Sequence, residues 1–170
     1  ILKSYENDPS GKTIRVADAC NGSSAAPAYF PTAHVNDRWL VDGGVVVNNP
    51  TVVAYAEAKA RWPGEQILVL SVGTGIQIRK IDGPTSSGWG GIQWIGNGLL
   101  DVTMDESVVE YQARLILGDG YVRVNSALDV ANDDMDDVSS KNLQALQDLG
   151  NLWFDSFGQQ ALALIHRARG

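Results

Sequence analysis

Ten residues, QILVLSVGTG at positions 66 to 75, limit what this chain can fold into more than any other stretch. An apolar run of this kind reads as a strand buried on both faces, as in a parallel sheet, and the Gly-Thr-Gly after it as a turn at the strand's C-terminal end. Parallel strands need crossover connections, usually helical, and the neighbouring sequence supplies them. Residues 51 to 62, TVVAYAEAKARW, place Val52, Ala56 and Ala60 on one helical face, with Asn49 expected as the N-cap and Pro50 at the first helical position. Residues 13 to 26 read as a helix stopped by Pro27, with Cys20 inside it as a buried packing residue. WLV at 39 to 41 is a short strand. Residues 81 to 98 are a glycine-rich, irregular excursion holding Trp89 and Trp94. Residues 101 to 117 read as a helix and YVRVN at 121 to 125 as a strand. Ser139 or Ser140 caps a helix after the acidic loop, and residues 151 to 168 form a final one. Strands alternating with helices define an α/β class.

Composition removes several functions. A chain of 170 residues with 44% hydrophobic and 19% charged residues is long enough for one domain with a fair core. Its net charge of −7, with no offsetting Lys/Arg cluster, argues against nucleic acid as a partner. One cysteine and two histidines argue against a Cys/His metal site. No apolar run approaches the ~18 residues of a membrane span, and no signal-like start is present, so a cytoplasmic location is expected. The chain opens at Ile1 on the polar KSYENDPSGKT, of which YENDPSGKT is a loop by composition, and is expected to be an excerpt, a processed product or one piece of a larger protein.

No serine has the G-x-S-x-G spacing of a nucleophile elbow; Ser23, Ser24, Ser71, Ser86 and Ser87 all fail it. His34, in the loop PTAHVNDRW, is placed where it can approach Asp42, and His166 lies near the end of the last helix. Without a nucleophilic serine neither completes a Ser/His/Asp triad. SVGTG lacks the full pattern of a phosphate loop. The aspartates at 133, 134, 136 and 137 lack the glycine and terminal glutamate of an EF-hand and read as a solvated loop before a helix N-terminus. Asp42, in WLVDGGVVVNNP, stays open between two roles. Asp-Gly is a common turn former. Equally, two following glycines leave the carboxylate uncrowded at a strand end, where α/β sheets build sites.

Four segments in order, SSAAPAYFP (23 to 31), VDGG with NNP (41 to 50), ILVLSVGTG (67 to 75) and MDDVSSKNLQALQDLGNLWF (135 to 154), resemble the C-terminal half of patatin-like phospholipases. That resemblance covers nearly the whole chain. It implies a three-layer α/β/α sandwich, with residues 1–170 the C-terminal portion of a single domain. It also implies lipid acyl hydrolysis of the phospholipase A or esterase type through a Ser-Asp dyad, without a cofactor or metal. Asp42 would be the dyad's base, with Gly43 and Gly44 supporting its motif. The nucleophilic serine and the glycine-rich oxyanion loop would lie in the N-terminal half, which becomes an expected partner. So does a lipid or phospholipid substrate, met by transient contact with a membrane surface. The rival expectation is a non-catalytic regulatory or binding module that retains the fold.

Overall fold

A computed structural model describes residues 2–3, 12–27, 29–77, 81–97, 99, 105–134 and 136–169. The acidic-loop Met135 and most of the opening loop, residues 4–11, lie outside them. The chain is α/β and divides into two compact units, residues 1–48 with 100–105, and residues 49–99 with 106–170.

In the first unit, helix α1 (Val16–Ser23) is followed by the antiparallel strands β1 (Ala33–Val35) and β2 (Arg38–Leu40). Asp18 in the first turn of α1 suits the helix dipole and pairs with Arg15 on the surface, at 2.7 Å. Gly22 is buried, and a Cβ there would stand 2.8 Å from Leu40 Cδ1, so its lack of a side chain is what lets α1 lie against the hairpin. Cys20 is exposed, contrary to its expected burial. At about 100° per residue, Cys20 sits roughly 200° from both Asp18 and Gly22, on the face turned away from β2.

The hairpin corrects the reading of PTAHVNDRW, residues 31 to 39, as loop. Asn36 and Asp37 form a two-residue turn, with Asn36 at φ 53, the left-handed conformation asparagine tolerates. Ala33 and Val35 are buried, and His34 between them is exposed. The second strand begins and ends one residue earlier than expected.

In the second unit, α2 (Thr51–Arg61), β3 (Val69–Val72), the short helices α3 (Gly83–Ser86) and α4 (Gly91–Gly96), α5 (Ser107–Leu117), β4 (Tyr121–Val124) and α6 (Ser140–Arg167) follow in order. Strands β3 and β4 pair in parallel, Ser71 opposite Arg123, and a further parallel bridge joins Ile76 to Ala127. Helix α2 packs on β3, α6 on β4, and α5 on both α2 and β4. The strand is parallel as expected, but it is not buried on both faces. Ser71 is covered, whereas Val72 is 67% exposed. Among the described residues, β4 and the three helices packed on this pair of strands do not supply the cover that an apolar run of this kind is built for.

Helix α2 starts at Thr51, one residue later than expected, so Pro50 and not Asn49 is the residue at its N-cap; Asn49 Oδ1, one position earlier, accepts the Thr51 N–H at 3.1 Å. Ser139 caps α6, its Oγ accepting the Asn142 N–H at 3.2 Å. The final helix is not separate: residues 140 to 167 form one helix of 28 residues, about 42 Å long. Gly150 costs it only about 1 kcal/mol, too little to break a helix packed on a strand.

Candidate functional site at Asp42

Asp42 lies two residues past the end of β2, where the chain turns into a single 3-10 turn at Gly43–Val45. The turn forms because the aspartate caps it: Asp42 Oδ1 accepts the Gly44 N–H at 2.7 Å. Its own N–H donates to the carbonyl of Ala25 at 3.0 Å, and Ala25 is buried. Two segments singled out in the sequence, SSAAP and VDGG, are thus tied together by one backbone hydrogen bond. The carboxylate is half-buried, so it is held in place while staying within reach of solvent.

The two glycines differ. A Cβ on Gly44 would stand 3.2 Å from Asp42 Oδ1 and 3.4 Å from Asn48 Oδ1, crowding the carboxylate; Gly43 faces open space. Neither has a positive φ, so what this turn takes from Gly44 is room, not backbone freedom.

His34 is not in a loop. It stacks across the hairpin on Trp39, with ring centroids 4.6 Å apart, on the exposed face of β1 and β2. His166 lies in the last turn of α6, where a positive charge suits the dipole. Asp137 is held below the usual carboxylate range by hydrogen bonds from Ser139, with Asn132 adding to them, and Asp82 likewise by hydrogen bonds from Thr85. Both aspartates serve helix starts.

The second unit holds a buried polar network that the sequence reading missed. Arg123, 8% exposed, donates from Nη1 to Ser71 Oγ at 2.8 Å and forms an ion pair through Nη2 with Glu106. Thr51 Oγ1 donates to the same serine oxygen at 2.9 Å. The network joins the starts of α2 and α5 to both strands. It also removes Ser71 from the pool of nucleophiles. Gly73 leaves space for it, since a Cβ there would collide with Asn125 and Arg123. The available signal was the register itself: an arginine and a serine inside otherwise apolar strands.

The sequence matches the model of the family described as patatin-like phospholipase over residues 3–55. It is 31% identical to Patatin-like protein 1 of Arabidopsis thaliana, across 88% of this chain and 45% of that protein. It is 33% identical to a cGAMP-activated phospholipase of Pseudomonas aeruginosa, across 81% of this chain and 44% of that protein. It is also 28% identical to calcium-independent phospholipase A2-gamma of Rattus norvegicus, across 81% of this chain and 18% of that protein. The chain spans a little under half the length of the plant relatives it matches.

Proposed function

By sequence this chain belongs with the patatin-like phospholipases, and from that premise we propose that it supplies the base of a Ser-Asp dyad in a lipid acyl hydrolase. Residues 1–170 are then the C-terminal portion of one domain, and the nucleophilic serine comes from sequence outside it. The observation that carries the reading is the setting of Asp42: a half-buried carboxylate at a strand end, one oxygen fixed by the Gly44 N–H and its backbone tied to Ala25.

The chemistry follows from that setting. Asp42 takes the proton of a serine hydroxyl as it attacks an ester carbonyl, with the carboxylate oxygen that Gly44 does not occupy as the acceptor. Asp42 then passes that proton to the departing alkoxide, so the alcohol product leaves, an acyl-enzyme remains and the carboxylate is regenerated. Water then attacks the acyl group, with Asp42 again as base, and the fatty acid is released. No cofactor is needed for either half. His34, stacked on Trp39 on the exposed face of the hairpin, is given no part in the proton path.

The test uses the full-length product of the gene. Asp42→Asn keeps the size of the side chain and its acceptor for Gly44 N–H, but cannot take a proton at neutral pH. Hydrolysis of a short-chain nitrophenyl ester falls by roughly a hundredfold or more, the scale of a lost general base, while His34→Ala stays within a few-fold of wild type. Equal damage from both folded variants would indicate a triad. An intact Asp42→Asn enzyme would reduce Asp42 to a turn residue. A wild-type protein inactive on every ester and phospholipid would leave the non-catalytic module.

A further inference from the structure

Of the two asparagines in Val-Asn-Asn-Pro, Asn49 serves the start of α2: it is buried and accepts the Thr51 N–H at 3.1 Å. Asn48 is exposed and lies in the same unit as Asp42. Hydrogen bonds from the Val46 and Val47 N–H groups to the Gly43 carbonyl, at 3.1 and 2.8 Å, wind the chain back on itself. Val46 is turned outward, 83% exposed, and Asn48 is brought beside Gly44. The point that a Cβ on Gly44 would occupy lies 3.2 Å from Asp42 Oδ1 and 3.4 Å from Asn48 Oδ1. A carboxylate and a carboxamide thus share one gap. Among the described residues Asp42 forms no ion pair, and the charged groups of the surrounding elements are engaged with others. Arg15 pairs with Asp18 at the start of α1, Lys12 with Asp37 at the hairpin turn, and His34 stacks on Trp39. Arg38 lies four residues back along β2, roughly 13 Å at strand spacing.

We propose that Asn48 is a positioning residue for Asp42, its carboxamide walling the Oδ1 side of the carboxylate and keeping a second charge away from it. This rests on the dyad proposed above. Two properties of asparagine are used. Its bulk limits the swing of a carboxylate that is held by one hydrogen bond, so that the other oxygen stays free for the serine proton. Its neutrality matters because aspartate has the same shape. A second carboxylate at this range disfavours the ionised form of the first, and a protonated Asp42 is no base. An asparagine that only shaped the turn would draw on neither property.

The experiment measures kcat and KM of the full-length protein on a short-chain nitrophenyl ester across pH, at low and high salt. Asn48→Asp keeps the size of the side chain and adds a charge. The acid limb of its kcat/KM profile moves up by about one pH unit, less in high salt, and above that limb activity returns to within a few-fold of wild type. Asn48→Ala removes the bulk and adds no charge. Its acid limb stays in place, while kcat falls roughly tenfold with KM little changed. The position of the limb and its salt dependence are read within one active protein, so a loss of stability does not imitate them. An Asn48→Asp profile superimposed on that of wild type would overturn the proposal, and so would Asn48→Ala with the wild-type kcat. Either result, with Asp42→Asn still damaged, leaves the dyad standing. An active Asp42→Asn enzyme would remove the dyad and this inference with it.

Discussion

At the scale of single residues, two glycines side by side do different work. Gly44 leaves room beside the carboxylate it helps to fix, and Gly43 faces open space. Gly44→Val therefore presses on Asp42 Oδ1, whereas Gly43→Ala does not. In the full-length protein, the valine variant should lose about tenfold or more in ester hydrolysis, since small displacements of a reacting group are costly. The alanine variant should stay within about twofold. Similar losses from both would mean that the turn, and not the space around the carboxylate, limits the site. Asp42 itself was legible in the sequence as an acidic residue at a strand end followed by glycines. The hydrogen bond from its N–H to Ala25 was not, because a contact across 17 positions leaves no local pattern. Cys20 was misplaced because a helical periodicity identifies a face but not which face meets a partner.

At the scale of elements, a parallel strand followed from the apolar run, though not its partner β4, and helices followed from periodicity, though not the continuity of α6. The β1–β2 hairpin was missed. Its strands are three residues each, too short for alternation to stand out, and its turn is Asn-Asp without the usual glycine. The turn after β3 carries a sharper constraint. Gly75 has φ 108, and a Cβ there would collide with the Leu128 side chain. Gly75→Ala combines backbone strain with a steric clash and should cost at least about 2 kcal/mol, read as a lower denaturant midpoint. A variant as stable as wild type would show that this turn relaxes freely. The start of α6 responds to pH. Hydrogen bonds from Ser139 lower the pKa of Asp137, so the charged carboxylate is favoured in the folded form. Its stabilising contribution is complete above the ordinary carboxylate pKa of about 4 and fades as pH falls through the lowered value. Amide-exchange protection at Ser139 to Asn142 should fall below about pH 4 in wild type. Asp137→Asn should show reduced protection already at neutral pH, with no further fall in that range.

At the scale of the whole molecule, large apolar side chains are exposed on most helices of the second unit. Val108, Tyr111 and Leu115 line one side of α5, and Phe154 is 64% exposed on α6. Among the described residues, no helix is long and apolar enough to cross a membrane. Apolar surface on this scale marks an interface. Residues 1–170 expressed alone should aggregate or strongly enhance the fluorescence of a hydrophobic dye, and a monodisperse monomer with a cooperative melt would contradict the reading of a partial domain. In the proposed dyad this chain gives the base and takes the nucleophile from elsewhere in the same polypeptide. Labelling the full-length protein with a fluorophosphonate and mapping the modified peptide tests it most directly. One labelled serine is expected, outside residues 1–170, with labelling slowed by Asp42→Asn. A labelled serine within residues 1–170, or a rate indifferent to Asp42→Asn, would contradict it.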